Sequence, residues 1–180
     1  MIFKHFKTTK VPDSIFKSFV RAFNHTFNKK KDVKYFKKKY INKSFGDSFH
    51  CFLLDKNIVV GACNVIPYNY EIDNSKFLIG LAVDTFIHQD FRKKDPFILL
   101  KMYKLIRNEL KKSNVVSTLA VPNDNAYMYW KKVVRMKDLL SLNYYIFPSN
   151  IFFKLKFRSH LFSLFLSLFF FNFNLLINVF

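Results

Sequence analysis

The sequence predicts a mixed α/β domain followed by a hydrophobic C-terminal tail. Apolar residues make up 51% of the 180 residues, so the chain can bury a core. Segments with apolar residues at three-and-four spacing alternate with short runs of β-branched and aromatic residues, as helices alternate with strands. The last segment, Leu161–Phe180, carries no charged residue. We therefore predict one domain over residues 1–157, with a mixed central sheet of about six or seven strands and about four helices, and a tail over residues 158–180.

Turn residues and prolines separate the predicted elements. The turn Asp55-Lys56-Asn57 joins two strand-like runs as an antiparallel hairpin, and Pro67 is expected to close its second strand. Pro96 is expected in the first turn of a helix, where its missing N–H is harmless. In chain order, the predicted elements are a strand Ile2–Phe6, a helix from Asp13, a helix from Asp32 that ends at Gly46 and Asp47, strands Phe49–Leu54, Ile58–Ile66 and Phe77–Ile87, a helix Pro96–Lys112, a strand Val115–Val121, a helix capped by Asn123, and strands Leu139–Phe147 and Ile151–Phe157.

The strand Phe77–Ile87 is expected at the centre of the sheet. It is almost continuously apolar, which is typical of a strand that is buried on both faces. The helix that separates it from Val115–Val121 predicts a right-handed crossover that makes the two strands parallel. A ligand crevice is then expected at their carboxyl ends.

The charge balance favours an anionic partner. The chain has 30 Lys and Arg against 12 Asp and Glu, a formal charge of +18, which suits nucleic acid, acidic lipid or a cofactor with several phosphates. Part of this basicity also fits an AT-rich coding sequence. In the lysine-rich stretch Lys29–Lys43, interleaved aromatics fit a helix with one buried stripe and one solvated face, so nucleic acid is not the expected partner.

The two cysteines and the N-terminus predict a cytoplasmic protein. The N-terminus lacks an apolar stretch of signal-peptide length. Cys51 and Cys63 give neither a disulfide framework nor the spacing of a metal site, so we expect a reducing compartment, no metal and buried or edge-strand thiols.

Three segments of the chain carry a family resemblance. They read CFLLDKNIVVGACNVIP, LAVDTFIHQDFRKKDPFILLKMYKLI and VVSTLAVPNDNAYMYWKK. With these segments the chain resembles the GNAT superfamily of N-acetyltransferases, over roughly Phe45–Tyr145. The resemblance implies an acyltransferase that uses acetyl-CoA or another acyl-CoA, and a small-molecule amine or amino sugar as the acceptor.

The turn after the central strand is the implied phosphate-binding turn. In the family it has the form Arg or Gln, two residues, Gly, one residue, then Gly or Ala, and its backbone N–H groups bind the coenzyme A pyrophosphate at a helix N-terminus. Asp95 and Phe97 depart from that form. Asp95 either repels the phosphates or caps the helix with its side chain turned away from them. The residues implied to bind the cofactor here are Arg92, Lys93, Lys94, Asp95, Pro96 and Phe97.

The resemblance also implies catalytic residues. Asp84, in the otherwise apolar strand, is the candidate general base, since an amine must lose a proton before it attacks a thioester. Alternatively, Asp84 faces solvent or holds a backbone turn. Its neighbours Val83 and Thr85 are implied cofactor contacts, and so is Asn123. Tyr127 is the candidate acid for the leaving thiolate, because Trp130 stands where the family has a tyrosine; Tyr129 fits the apolar stripe of its helix instead.

Two alternatives concern the tail and the activity. As a helix, Leu161–Phe180 would span about 30 Å, enough to enter a bilayer from its cytoplasmic face, or it packs on the domain.

The departures at Asp95, Phe97 and Trp130 favour a second reading, in which an acyltransferase-like domain has lost turnover and serves as a binding or membrane-tethered module. His88 and Asp90 come without a nucleophile motif, so His88 is expected to be a strand-end histidine.

Overall fold

The computed structural model describes residues 1–42 and 46–139, and Met1–Asp138 forms one compact unit. Two short turns lie outside the longer elements: a 3-10 turn at Thr8–Lys10 and a π turn at Tyr129–Val133. The strands are β1 (Ile2–Lys7), β2 (Ile41–Asn42), β3 (Gly46–Asp47), β4 (Phe49–Asp55), β5 (Ile58–Ile72), β6 (Ser75–Ile87) and β7 (Ser117–Ala120). The helices are α1 (Asp13–Phe27), α2 (Val33–Tyr40), α3 (Gln89–Arg92), α4 (Ile98–Lys112) and α5 (Asp124–Met128).

Five strands form one mixed sheet in the order β1-β4-β5-β6-β7. Neighbours pair antiparallel except β6 and β7, which are parallel and joined through α4. This arrangement confirms the predicted mixed α/β fold and the predicted crossover. The predicted strands Leu139–Phe147 and Ile151–Phe157, the tail and the boundary at residue 157 lie outside the described residues, apart from Leu139 itself.

Two hydrophobic cores cover the two faces of this sheet. Along β4, Phe52 and Leu54 belong to the core beneath α1 and α2, whereas Cys51 and Leu53 belong to the core beneath α4. This division follows from the period-two alternation of a strand. At the centre of the first core, Phe19 of α1 is fully buried among other aromatic rings. The helices therefore cover both faces of β4 and of the part of β5 that pairs with it.

The hairpin prediction is confirmed, but the predicted end of its second strand is wrong. Lys56 and Asn57 have φ angles of 48° and 64°, as a two-residue hairpin turn requires. Strand β5 continues through Pro67, which pairs with Gly80 of β6. Strand β4 pairs with β5 no further than Val65, so at Pro67 the strand has β6 on one side only, and a missing N–H is tolerated there.

The second helix also ends earlier than predicted. It stops at Tyr40, whose carbonyl accepts a hydrogen bond from the Ser48 hydroxyl at 2.7 Å. The β-branched residue Ile41 is already extended. Gly46 and Asp47, predicted to end the helix, instead pair with β2 in a two-stranded ladder.

Strand β6 lies between β5 and β7 as predicted, but the prediction that both its faces are buried is wrong over most of its length. Only Gly80, Phe86 and Ile87 are buried. The reason is that β7 pairs with just four residues of β6, Ile79 to Ala82. The remainder of the strand has one neighbour in the sheet.

Both cysteines are free, buried and opposite each other on β4 and β5. Burial raises the pKa of the Cys63 thiol to about 12, and it raises the pKa of Cys51 as well. The predicted interior position of the thiols is confirmed. Within residues 1–42 and 46–139, none of the helices has the length and apolar character needed to cross a bilayer.

Candidate active site

Strand β6 carries a β-bulge at Asp84. Asp84 and Thr85 together stand opposite the single residue Cys63 of β5. Asp84 has a φ of 48°, a left-handed conformation that Asp and Asn tolerate better than most residues. A bulge interrupts the alternation of side chains and so re-aims one of them. Here it turns the Asp84 carboxylate towards the face that α2 covers.

Two donors from α2 reach this carboxylate. Lys39 Nζ and the Tyr40 hydroxyl each lie 2.6 Å from Asp84 Oδ2. The Asp84 side chain is 12% exposed and that of Lys39 is 29% exposed, so the ion pair is partly buried. The alternative in which Asp84 faces solvent is therefore wrong.

Tyr40 acts as a hydrogen-bond donor in this group. The side chain is fully buried, and burial, followed by the charge of Asp84, raises the pKa of Tyr40 well above its ordinary value. The phenol therefore keeps its proton at neutral pH. Its hydrogen bond fixes the position of Oδ2.

A chain of buried polar groups supports the bulge from below. Asn64 Nδ2 donates to the Asp84 carbonyl at 3.1 Å, and Asn64 Oδ1 lies 2.8 Å from His50 Nδ1. Since Oδ1 is an acceptor, His50 Nδ1 carries the proton, and His50 Nε2 accepts from the Thr8 hydroxyl at 2.8 Å. Burial lowers the pKa of His50 to about 4, so the hydrogen-bonded series Asn64–His50–Thr8 is uncharged at neutral pH.

The sheet opens directly beside the bulge. Pairing between β6 and β7 stops at Ala82 and Ala120. Strand β6 continues to Ile87, whereas the chain after β7 leaves the sheet and reaches Asn123, the cap of α5. The carboxyl ends of the two parallel strands therefore diverge, as the predicted crevice requires.

Val83, Asp84 and Thr85 all lie on the unpaired side of this opening. Val83 packs against the core beneath α1 and α2. The Thr85 hydroxyl is hydrogen-bonded to the Cys63 thiol. The three predicted site residues of β6 are thus adjacent to the opening.

Between β6 and α4 the chain makes a basic turn. Arg92 Nη2 donates to the Ile87 carbonyl at 3.0 Å, which ties α3 to the end of β6. Lys93 and Lys94 are exposed. These two side chains supply positive charge at the place where the family turn binds phosphate.

Asp95 bonds within the turn that precedes α4, and the expectation that it caps the helix is wrong, because the N-cap residue is Phe97 and no side chain caps it. Its Oδ1 accepts from the Phe97 N–H at 2.8 Å, and its Oδ2 forms an ion pair with Lys101 at 2.6 Å. The hydrogen bond from Lys101, followed by that from Phe97, lowers the pKa of Asp95. The carboxylate is therefore paired within the protein.

The turn fits a polyphosphate by its charge more than by its backbone. Pro96 has no N–H, and the Phe97 N–H is taken by Asp95. The exposed ammonium groups of Lys93 and Lys94 would hold phosphate oxygens in place of the glycine-backed amides of the family form. Phe97 is 54% exposed beside them.

The segment after β7 contains the other predicted site residues. Asn123 Oδ1 accepts from the Ala126 N–H at 3.0 Å, which confirms the predicted helix cap. Tyr127 is 37% exposed, and its hydroxyl lies 2.8 Å from Lys131 Nζ and 3.1 Å from Asp138 Oδ2. Trp130 is buried and packs edge-on against a tyrosine of α4. The role of Tyr127 as a proton donor to the leaving thiolate stays a prediction.

A separate cavity of about 380 Å³ lies between α1 and the ends of β5 and β6. His88 is part of its wall, and His88 Nδ1 is 3.4 Å from Asp90 Oδ2. It contains none of the predicted catalytic or cofactor-binding residues. It is lined by Ser18, Arg21, Ala22, His25, Thr26, Ile58, Val59, Val60, Phe86, His88 and Phe91.

Solved structures superpose on this chain over most of its length. Glucosamine-6-phosphate N-acetyltransferase from Arabidopsis thaliana superposes with a TM-score of 0.60 at 13% identity, over 81% of this chain and 99% of that one. The chain has the GNAT fold. The aminoglycoside acetyltransferase AAC(6')-Iy, in complex with a bisubstrate analogue of coenzyme A, gives 0.63 at 4% identity over 82% and 99% of the two chains.

A third GNAT-fold structure was solved with a cofactor. It is a predicted acetyltransferase from Clostridium acetobutylicum with acetyl-CoA, with a TM-score of 0.58 at 15% identity over 79% of this chain and 96% of that one. No protein-family model matches the sequence, and no curated protein sequence matches it. The similarity between this chain and known proteins is therefore a similarity of fold.

Sequence reasoning missed the partners of Asp84. Tyr40 was placed only as an apolar-face residue of its helix, although a buried phenol needs a hydrogen-bond partner. His50 and Asn64 stand in otherwise apolar strands, and this was an available signal that they pair with each other. No sequence signal marks Lys39 among the lysines of α2.

Proposed function

We propose that this chain is an N-acyltransferase that moves an acetyl or other acyl group from acyl-CoA to a primary amine, with Asp84 as the general base. The observation that supports it most is the placement of a partly buried carboxylate on the bulge of β6, beside the opening between the parallel strands. A base in that position reaches an amine that enters from the α2 face. A donor in the opening approaches from the other strand.

Each proposed role follows from a contact. Asp84 removes a proton from the bound ammonium, so that the nitrogen lone pair is free to attack the acyl carbon. The Tyr40 hydroxyl holds the carboxylate in place during this step. Lys93 and Lys94 hold the phosphates of the donor, and Val83, Thr85 and Asn123 line its path.

The departing sulfur needs a proton donor. We assign this role to Tyr127, whose hydroxyl is hydrogen-bonded to both Lys131 and Asp138. The acceptor we propose is a small-molecule amine such as an amino sugar. The named substrates of the glucosamine-6-phosphate and aminoglycoside acetyltransferases of the same fold support that class. We place the reaction in the cytoplasm.

Thiol release from acetyl-CoA tests the proposal. The purified protein is mixed with acetyl-CoA and a panel of amino sugars, aminoglycosides and simple amines, and free coenzyme A is measured with a thiol reagent. We expect saturable release with at least one amine. Asp84→Asn should lower kcat/KM by about 100-fold or more, because a positioned base contributes at least that factor.

The matched control is Glu71→Gln, since Glu71 is exposed at the far end of β5. It should leave kcat/KM unchanged. Equal rates for Asp84→Asn and the unmodified protein would remove Asp84 from the mechanism.

One observation favours a second candidate function. Asp95 occupies the Phe97 N–H, and the turn has no glycine to bring backbone close to phosphate. A domain with this turn could hold an anionic ligand weakly and carry out no transfer. In that case no amine in the panel would release coenzyme A, although the protein is folded by circular dichroism.

A further inference from the structure

We propose that Lys39 is a modification site, at which the chain transfers an acyl group from acyl-CoA to its own Lys39 Nζ. This inference rests on the proposed acyltransferase function. It concerns a residue that the family resemblance did not single out. The inference is based on the contact between Lys39 Nζ and Asp84 Oδ2.

The position of Lys39 Nζ is that of an acceptor nitrogen. A general base must lie within hydrogen-bond reach of the proton that it removes, about 2.6 to 3.2 Å between heavy atoms. Lys39 Nζ lies 2.6 Å from Asp84 Oδ2. A primary ammonium from the chain itself thus occupies the place that a substrate ammonium would take.

Among the residues that the structure describes, Lys39 is the cation in ion-pair contact with Asp84. The neighbouring lysines of α2 point elsewhere: Lys37 pairs with Asp13, and Lys38 is exposed. Because the Lys39 side chain is 29% exposed, it keeps enough freedom to lean towards the opening beside Asp84. One helix therefore presents one lysine to the site and its neighbour to solvent.

The transfer balances without a further reactant. Asp84 takes one proton from the Lys39 ammonium, and the freed lone pair forms a bond with the acyl carbon. The bond between that carbon and sulfur breaks, and sulfur leaves with its electron pair. Tyr127 gives its proton to the thiolate, which yields coenzyme A; the nitrogen loses a second proton, which restores the Tyr127 hydroxyl through water, and Asp84 releases its proton to water.

The product loses the ion pair. An amide nitrogen carries no charge, so Asp84 Oδ2 keeps Tyr40 as its described donor and loses the cation. The modified chain has one positive charge less beside the carboxylate.

Site-resolved labelling with two reagents tests the inference. The full chain is incubated with acetyl-CoA in one sample and with acetic anhydride, which needs no binding site, in the other. Peptide mass spectrometry then gives the acetylated fractions of Lys39 and Lys38. We expect Lys39 to exceed Lys38 at least tenfold with acetyl-CoA, and to react more slowly than Lys38 with the anhydride, because its ammonium is paired and partly buried.

The same order of reactivity with both reagents would overturn the inference. Two further measurements sharpen it. The fraction of Lys39 labelled per unit time should not change when the protein is diluted, since the transfer occurs within one chain; a rate that scales with protein concentration contradicts transfer within the chain. Asp84→Asn should abolish the preference for Lys39, and Glu71→Gln should retain it.

Failure of the inference differs from failure of the proposed function. Thiol release with free amines and no preference for Lys39 would overturn self-acylation alone. The absence of both thiol release and saturable acetyl-CoA binding would overturn the two together.

Discussion

Asp84 is an L-residue held in a left-handed backbone conformation, in the part of β6 that has only β5 as a neighbour. Such a conformation costs about 1 kcal/mol or more outside glycine. The contacts around it offset that cost, since Asn64 holds its carbonyl while Lys39 and Tyr40 hold its carboxylate. Strain of this kind is concentrated at functional sites.

The Tyr40 hydroxyl should contribute measurably to stability. Tyr40→Phe removes a buried hydrogen bond to a carboxylate, and we expect the free energy of unfolding to fall by about 2 kcal/mol. Urea denaturation measures it. Tyr35→Phe, on the exposed face of the same helix, is the control and should change it by less than about 0.5 kcal/mol. Equal small effects of the two substitutions would exclude a structural role for the Tyr40 hydroxyl.

His50 predicts a specific pH dependence of stability. Its pKa is lowered from 6.5 to about 4 in the fold, so as the pH falls through this interval the unfolded chain binds a proton that the folded chain does not. Stability from this group is complete above pH 6.5 and is lost as the pH falls towards 4. Between about pH 7 and about pH 5 the expected loss is about 2 kcal/mol.

Chemical denaturation at several pH values checks this prediction. His50→Gln should flatten the dependence, and His5→Gln, at an exposed position, should not. Carboxylates with lowered pKa values lose their contribution as the pH falls through their ordinary values of 3.8 or 4.5 and below, which overlaps only the lower end of the His50 interval; these are Asp95, Glu109 and Asp138. An unchanged slope in His50→Gln would contradict the assignment.

At the scale of elements, the hairpin shows what the sequence could predict. The turn residues Lys56 and Asn57 predicted the connection and its antiparallel sense. A shift in register follows at once, because Leu54 pairs with Val59 but Leu53 pairs with Gly61. This shift brings His50 opposite Asn64, which an unbroken ladder would have placed one residue away. No local signal in the sequence marked it.

Asp95, in the turn before α4, affects stability and cofactor binding in opposite directions. Asp95 stabilises the turn before α4 through its ion pair with Lys101, and it also occupies the Phe97 N–H. Asp95→Gly should free that N–H and remove a negative charge, so we expect the acetyl-CoA dissociation constant to fall roughly threefold to tenfold while the melting temperature falls. Titration calorimetry and thermal denaturation measure the two effects.

Asp95→Asn serves as the companion variant, since it removes the charge and keeps a side-chain oxygen that can accept a hydrogen bond from the Phe97 N–H. Its melting temperature should stay closer to that of the unmodified protein. Weaker binding in Asp95→Gly would mean that the carboxylate supports the cofactor turn.

At the scale of the whole molecule, the fold was predictable because its long elements are strongly periodic. The stripes of α1 and α4 predicted two helices that each bury one face, and this is confirmed, whereas the apolar run of β6 wrongly predicted burial on both faces. The site was predictable only in part. Asp84 was singled out through the resemblance, but its contact with Lys39 joins residues 45 positions apart and depends on the bulge.

In the proposed function, the basic turn before α4 holds the phosphates of an acyl-CoA beside the opening of the sheet. Titration calorimetry with acetyl-CoA measures this binding. Three proteins are compared: the unmodified chain, Lys93→Ala/Lys94→Ala, and the control Lys104→Ala/Lys111→Ala, which removes the same charge from the exposed side of α4. We predict saturable binding at one site, weakened about tenfold in the turn variant and unchanged in the control. No saturable heat at millimolar acetyl-CoA, or equal weakening in both variants, would contradict the account.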